Sequence, residues 1–178
     1  MIIVYVGGMG SGKSLSMVKE AYNYHLQGYE VLSNMKLNFP YTPITSKTIQ
    51  EFAKSKKGLY NTVVLIDEVH IFVDSRRSAS KKNLSISYFI TQTRKQKVKL
   101  LCTTQHRHQL DRRLRDNVNI YVDCEKHILP LQYKDTGETL LIVNYVNTRK
   151  RQEKVTFVGN PYFGLYDTEE IIMDFDDI

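Results

Sequence analysis

The chain has 178 residues, 42% of them hydrophobic and 25% charged, with a formal net charge of +6. That length suits a single domain with a substantial buried core, and no run of roughly eighteen apolar residues is present to span a membrane. Met1-Ile2-Ile3-Val4 enters a strand at once and leaves no room for a signal peptide. Cys102 and Cys124 sit in apolar strand-like runs, which fits a buried reduced pair and a cytoplasmic setting.

The first element is the strand Ile2-Ile3-Val4-Tyr5-Val6, followed directly by Gly7-Gly8-Met9-Gly10-Ser11-Gly12-Lys13-Ser14. This is the phosphate-binding pattern G-x-x-x-x-G-K-[ST] in its required context of strand, glycine loop and helix. Gly7, Gly8, Gly10 and Gly12 let backbone N–H groups close on phosphate oxygens, and Ser11 and Leu15 belong to the same nucleotide-binding stretch. A helix starting near Lys13 adds its unpaired N–H groups and the positive end of its dipole. Lys13 reaches the β- and γ-phosphates, and the Ser14 hydroxyl is a ligand for Mg2+. The apolar positions Leu15, Val18, Ala21, Tyr22 and His25 follow a helical stripe that stops near Gly28.

A short strand is expected at 29–33, a proline-containing loop at 38–45, and a short helix at 47–53 capped by Ser46. The β-branched run Thr62-Val63-Val64-Leu65-Ile66 reads as a central parallel strand and ends in Asp67-Glu68. Ligands of such sheets sit at the carboxyl ends of the strands. Asp67 is therefore a candidate magnesium ligand, and Glu68 a candidate to orient or deprotonate the attacking water. A basic loop at 75–82, a helix at 84–95 and a strand at 98–104 follow, the last ending at Gln105. An amide there can contact the γ-phosphate or the lytic water. A short basic helix at 109–115, a strand at 119–124 and two antiparallel strands at 139–146 and 154–158 complete the reading. The result is a three-layer α/β domain: a core of about 1–125 with a mostly parallel sheet, and a strand-rich antiparallel addition over about 126–178.

Basic residues recur on the loops of this chain. Lys54, Lys56 and Lys57, then Arg76, Arg77, Lys81 and Lys82, then Arg94, Lys95, Lys97 and Lys99 form successive clusters. Arg107, Arg112, Arg113 and Arg115 follow, and Arg149, Lys150, Arg151 and Lys154 lie in a hairpin turn; the tail reverses sign at Asp174, Asp176 and Asp177. Surface basic clusters are commonly just solvated faces, but the net charge favours an anionic partner beyond ATP, and recurrence on loops makes nucleic acid a candidate on a par with that alternative.

The segment Arg94-Lys95-Gln96-Lys97-Val98-Lys99-Leu100-Leu101-Cys102-Thr103-Thr104-Gln105 resembles the arginine, lysine, strand, Thr-Gln segment of the FtsK–HerA superfamily of DNA-pumping ATPases. Leu65-Ile66-Asp67-Glu68-Val69-His70 resembles the same superfamily's Walker B region. Gln109-Leu110-Asp111-Arg112-Arg113-Leu114-Arg115 and Gly164-Leu165-Tyr166-Asp167-Thr168 are similar to segments of viral members, the packaging ATPases of membrane-containing viruses and the Zot-like assembly ATPases of filamentous phages. The resemblance covers most of residues 1–125. It implies a P-loop NTPase fold of the ASCE, RecA/FtsK-like type. It also implies ATP hydrolysis with Mg2+, translocation of double-stranded DNA, and a ring, commonly a hexamer, with sites between subunits. An arginine from a neighbour would then complete each site, with Arg94 at the matching position and Arg112, Arg113 and Arg115 as alternatives. Zot-like proteins usually continue into a membrane-spanning segment, so a bare domain fits a packaging motor better. That motor would work in the host cytoplasm or on the virion, beside a capsid or membrane protein.

Three other classes share features of the chain. A small nucleotide kinase has a similar size and loop, with Arg76-Arg77 or the arginines at 112–115 as a lid, but needs no Glu68 beside the magnesium aspartate. A GTPase would need an Asn-Lys-x-Asp motif, which is absent. A slowly hydrolysing assembly protein is the third. His106-x-His108 could ligate a metal, although two histidines after a strand are more often surface polar residues.

Overall fold

The computed structural model describes residues 1–45, 48, 60–72, 98–130, 138–148 and 150–167. The helices expected at 47–53 and 84–95, the basic loop at 75–82, Arg94 and the acidic tail lie outside the described residues.

Eight strands form one sheet: β1 (Ile2–Val6), β2 (Glu30–Ser33), β3 (Thr42–Pro43), β4 (Thr62–Ile66), β5 (Lys99–Thr104), β6 (Ile120–Pro130), β7 (Glu138–Thr148) and β8 (Gln152–Val158). Their order across the sheet is β3-β2-β4-β5-β1-β6-β7-β8. Every pairing from β3 to β6 is parallel, and β6-β7 and β7-β8 are antiparallel. The mostly parallel sheet with a late antiparallel addition is therefore as the sequence led us to expect.

The parallel strands read as unbroken apolar runs because both faces are covered. Ile3, Tyr5, Val63, Leu65, Leu101 and Val122 face one side, where Met17, Val18 and Ala21 of α1 (Lys13–Leu26) pack on them. Ile2, Val4, Val64, Ile66, Leu100 and Cys102 face the other, beneath Val69, Leu110, Leu114 and Val118. The alternation along each strand and the stripe along α1 thus bury complementary faces, each large side chain contributing about 1.5–3 kcal/mol to the core. Val69 comes from α2 (Val69–Phe72), and Leu114 from α3 (Arg112–Arg115). Both cysteines are buried free thiols. Burial raises both well above the usual thiol range, Cys124 to about 12.

Several elements differ from the sequence reading. The proline-containing loop carries the two-residue strand β3, whose edge position tolerates Pro43. The basic helix expected at 109–115 is two pieces, a 3-10 turn at Arg107–Gln109 and α3, because the Asp111 carboxylate accepts the Arg113 N–H at 2.8 Å and starts a new helix there. β6 runs to Pro130 rather than stopping at Cys124, since its pairing with β7 continues after that with β1 ends at Asp123. A 3-10 segment at Asn160–Leu165, not foreseen, closes the described chain over α1. Among the described residues, no helix is long and apolar enough to cross a membrane.

Candidate active site

β5 lies between β1, which carries the glycine loop, and β4, which carries Asp67-Glu68. All three run parallel, so the glycine loop, the acidic pair and Gln105 emerge at one carboxyl edge. The topology thus brings three separate sequence stretches to one place.

The loop turns on contacts that only glycine tolerates. Gly12 sits at φ +89°, and a Cβ there would stand 2.6 Å from Ile142 Cδ1. At Gly7 a Cβ would lie 2.8 Å from the Cys124 carbonyl oxygen. The first backbone bond of α1 runs from Ser16 N–H to Gly12 C=O at 2.9 Å, leaving the N–H groups of Lys13, Ser14 and Leu15 without intrahelical acceptors. Ser11 Oγ is buried with no hydrogen-bond partner among the described residues. Lys13 is 6% exposed and its ammonium donates to Gly8 C=O at 3.0 Å. This cradle of donors and one buried cation suits an anion and little else.

Asp67 stands directly across from it. The Ser14 hydroxyl lies 3.0 and 3.2 Å from the two Asp67 carboxylate oxygens. Thr103 Oγ1 donates to Asp67 Oδ1 and accepts the Glu68 N–H at 2.8 Å. Asn34, at the end of β2, grips the Asp67 peptide from both sides, accepting its N–H at 2.8 Å and donating to its carbonyl at 3.1 Å. Asp67 is therefore held at backbone and side chain by β2 and β5. Two adjacent hard oxygen donors, one an ionisable carboxylate, fit Mg2+.

Glu68 has φ +48°, a left-handed conformation unusual for a side chain that gains nothing locally from it. The strand ends at Ile66, and this turn brings the carboxylate within the electrostatic reach of Lys13. Burial, then the Asp67 charge, raise the Glu68 pKa above the ordinary glutamate value, opposed by Lys13 and His70. His70 Nδ1 lies 3.2 Å from Glu68 Oε2, near enough for attraction but not aligned as a hydrogen bond. A carboxylate lifted in this way is a better proton acceptor.

Gln105 is half-buried at the tip of β5, between the glycine loop and the acidic pair. Arg112, Arg113 and Arg115 are exposed on α3, and Arg112 reaches Asp116 at 3.5 Å. The chain beyond α3 has returned to the amino end of β1 by Asn119, whose N–H donates to Ile2 C=O, and none of these arginines lines the cleft over the loop. His106 and His108 stack at 5.2 Å with an 11° tilt rather than converging on a point, and the described residues hold no cluster of three metal-ligating side chains.

Sequence reasoning missed Asn34, Thr103 and His70. Thr103 was part of the quoted Thr-Gln segment, but its task depends on β5 lying beside β4, which no local pattern reveals.

Residues 3–125 match the family described as "ATPase family associated with various cellular activities (AAA)". No curated protein sequence matches the chain at a significant level. Among solved structures, the N-terminal domain of zonular occludens toxin from Neisseria meningitidis superposes with a TM-score of 0.63 at 19% identity, covering 93% of this chain and 98% of that one. The genome packaging NTPase B204 from Sulfolobus turreted icosahedral virus 2, in complex with ATP-gammaS, gives 0.55 at 13% identity, over 87% and 95%. The flagellar accessory protein FlaH from Methanocaldococcus jannaschii gives 0.55 at 12%, over 88% and 84%. At these identities the likeness is one of fold, and it includes both kinds of protein that the sequence resembles. The family match spans well over half the chain and contains the whole loop, the acidic pair and Gln105, so the chain belongs to the AAA family of P-loop ATPases.

Proposed function

We propose that this ATPase is a DNA-translocating motor of the FtsK–HerA type, acting in viral genome packaging. The observation that supports the hydrolytic half is the β4-β5-β1 order, which brings the strand ends followed by Glu68 and Gln105 to the same edge as the glycine loop. Lys13 and the loop N–H groups bind the triphosphate. Ser14 and Asp67 would hold Mg2+, which supplies charge neutralisation across the β- and γ-phosphates. Glu68 orients a water and takes its proton, and Gln105 contacts the γ-phosphate or that water. Among the described residues no arginine lines the cleft over the loop, and Arg107 at the same edge is paired with Asp123 at 2.6 Å, which supports a ring, commonly a hexamer, in which Arg94 or an arginine of α3 reaches a neighbour's nucleotide. Such a finger is worth about a thousandfold or more in rate.

The DNA half rests on charge. The net charge is +6, and Lys150, Arg151 and Lys154 stand exposed around the β7-β8 turn. Contacts of this kind track the phosphate backbone and ignore sequence. A second reading, a Zot-like phage assembly or export ATPase, is favoured by the higher TM-score and nearly full coverage of the toxin domain. Both readings place the protein in a host cell beside a capsid or membrane partner.

ATP hydrolysis measured with and without double-stranded DNA across a salt series tests the proposal. The expected result is stimulation of severalfold at low salt that fades as salt rises. A rate indifferent to DNA, or phosphate transfer to a nucleoside monophosphate in place of water, would overturn it.

A further inference from the structure

The chain beyond residue 125 lies outside the family match, yet it builds one wall of the cleft above the phosphate loop. β6 parts from β1 after Asp123 and runs on past the carboxyl edge paired with β7 alone, with Lys126 opposite Ile142 and Ile128 opposite Leu140. Ile142 is fully buried against Gly12, which fastens this arm to the loop. After β8 the Gly159 N–H donates to Leu140 C=O at 2.8 Å, and the 3-10 segment crosses α1. It ends where Tyr166 bridges to Leu37, and Asn38 holds it by donating to the carbonyls of Leu165 and Gly164, each at 2.8 Å.

The space enclosed is an open cavity of about 260 Å³. Its floor is the glycine loop and the start of α1, and its walls are Lys126, Leu140, Ile142, Phe163 and Tyr166. Phe163 is 44% exposed, a large apolar ring left in solvent beside an anion site. The Lys126 ammonium lies 3.8 Å from where a Cβ on Gly10 would stand, so a second cation overhangs the loop. Among the described residues the walls hold no amide or carboxylate side chain, and the Tyr166 hydroxyl is the one side-chain group there that both donates and accepts.

We propose that this arm and the 3-10 segment are the nucleoside subsite of the ATPase. The base packs on Phe163 against Leu140, Lys126 meets the phosphates nearest the sugar, and purine and pyrimidine triphosphates are accepted with little discrimination. Apolar and aromatic walls hold any base, because every base has a π-face, whereas strong rejection of a wrong base needs several polar groups that would be left unpaired. The inference rests on the phosphate-site reading given above.

The test is calorimetric binding of a non-hydrolysable ATP analogue, its GTP and CTP counterparts, and inorganic tripolyphosphate, to the full chain. Phe163→Ala is expected to weaken the ATP analogue about tenfold while leaving tripolyphosphate unchanged. Phe163→Tyr is expected to restore binding, and the three nucleotides to bind the wild type within about tenfold of one another. Equal effects of Phe163→Ala on the analogue and on tripolyphosphate, or no effect on either, would overturn the subsite. A preference of more than about a hundredfold for one base would overturn its tolerance. Lys13→Ala separates the two readings: if it leaves both ligands bound as before, the phosphate site itself is wrong, whereas sensitivity to Lys13 without sensitivity to Phe163 overturns the subsite alone.

Discussion

Glu68→Gln is expected to keep ATP binding and to lose turnover by about a hundredfold to ten-thousandfold, the range a positioned general base contributes. The substitution keeps size and one hydrogen-bonding oxygen but removes the ability to take a proton. The Thr103 hydroxyl grips the Glu68 N–H rather than its side chain, so the backbone turn should survive the change. The pH dependence follows with its sign. Burial and Asp67 stabilise the protonated form of Glu68, so the carboxylate forms only at a pH above the ordinary glutamate value. The acid limb of turnover should therefore be displaced upward and should vanish from the residual activity of Glu68→Gln. Single-turnover hydrolysis with separate measurement of nucleotide binding checks both statements. Normal hydrolysis by the variant would remove Glu68 from the mechanism.

Lys13→Ala acts earlier, on binding. The ammonium is nearly buried and, among the described residues, its one acceptor is the Gly8 carbonyl of the loop itself. A buried cation with so little protein compensation is expected to take most of its stabilisation from bound phosphate. Charge-assisted hydrogen bonds contribute about 1.5–3 kcal/mol, so the variant should bind a non-hydrolysable ATP analogue about ten- to a hundredfold more weakly. Titration calorimetry reads this directly, and a thermal melt controls for folding. Unchanged affinity would contradict the site assignment.

These two residues were legible in the sequence for a physical reason. The glycine loop, Lys13 and Ser14 form a continuous stretch whose conformation is dictated locally, by glycines and by a helix start. Asp67-Glu68 needed only the buried apolar run before it to be placed at a strand's carboxyl end. Gln105 was legible once its strand was recognised, and β5 does lie between the other two. Thr103 and Asn34 were not, because each acts across a strand pairing, and Asn34 sits well before Asp67 in the chain. The C-terminal arm was legible as two antiparallel strands but not as a wall of the site. Its place depends on Ile142 meeting Gly12, a contact between distant segments that no periodicity announces. The arginines show the same principle from the other side. Arg112, Arg113 and Arg115 are exposed and none lines the cleft over their own chain's loop, so a role in hydrolysis would be one that a neighbouring subunit calls on.

A motor must do more than hydrolyse ATP near DNA; it must move along it. The most direct measurement is displacement of a third strand from a triplex at the end of a long duplex, followed by fluorescence as the protein runs into it. The account expects the strand to be released with ATP and Mg2+, and to stay bound with a non-hydrolysable analogue or with Glu68→Gln. Sustained ATP hydrolysis by DNA-bound wild-type protein with the third strand left in place would contradict translocation.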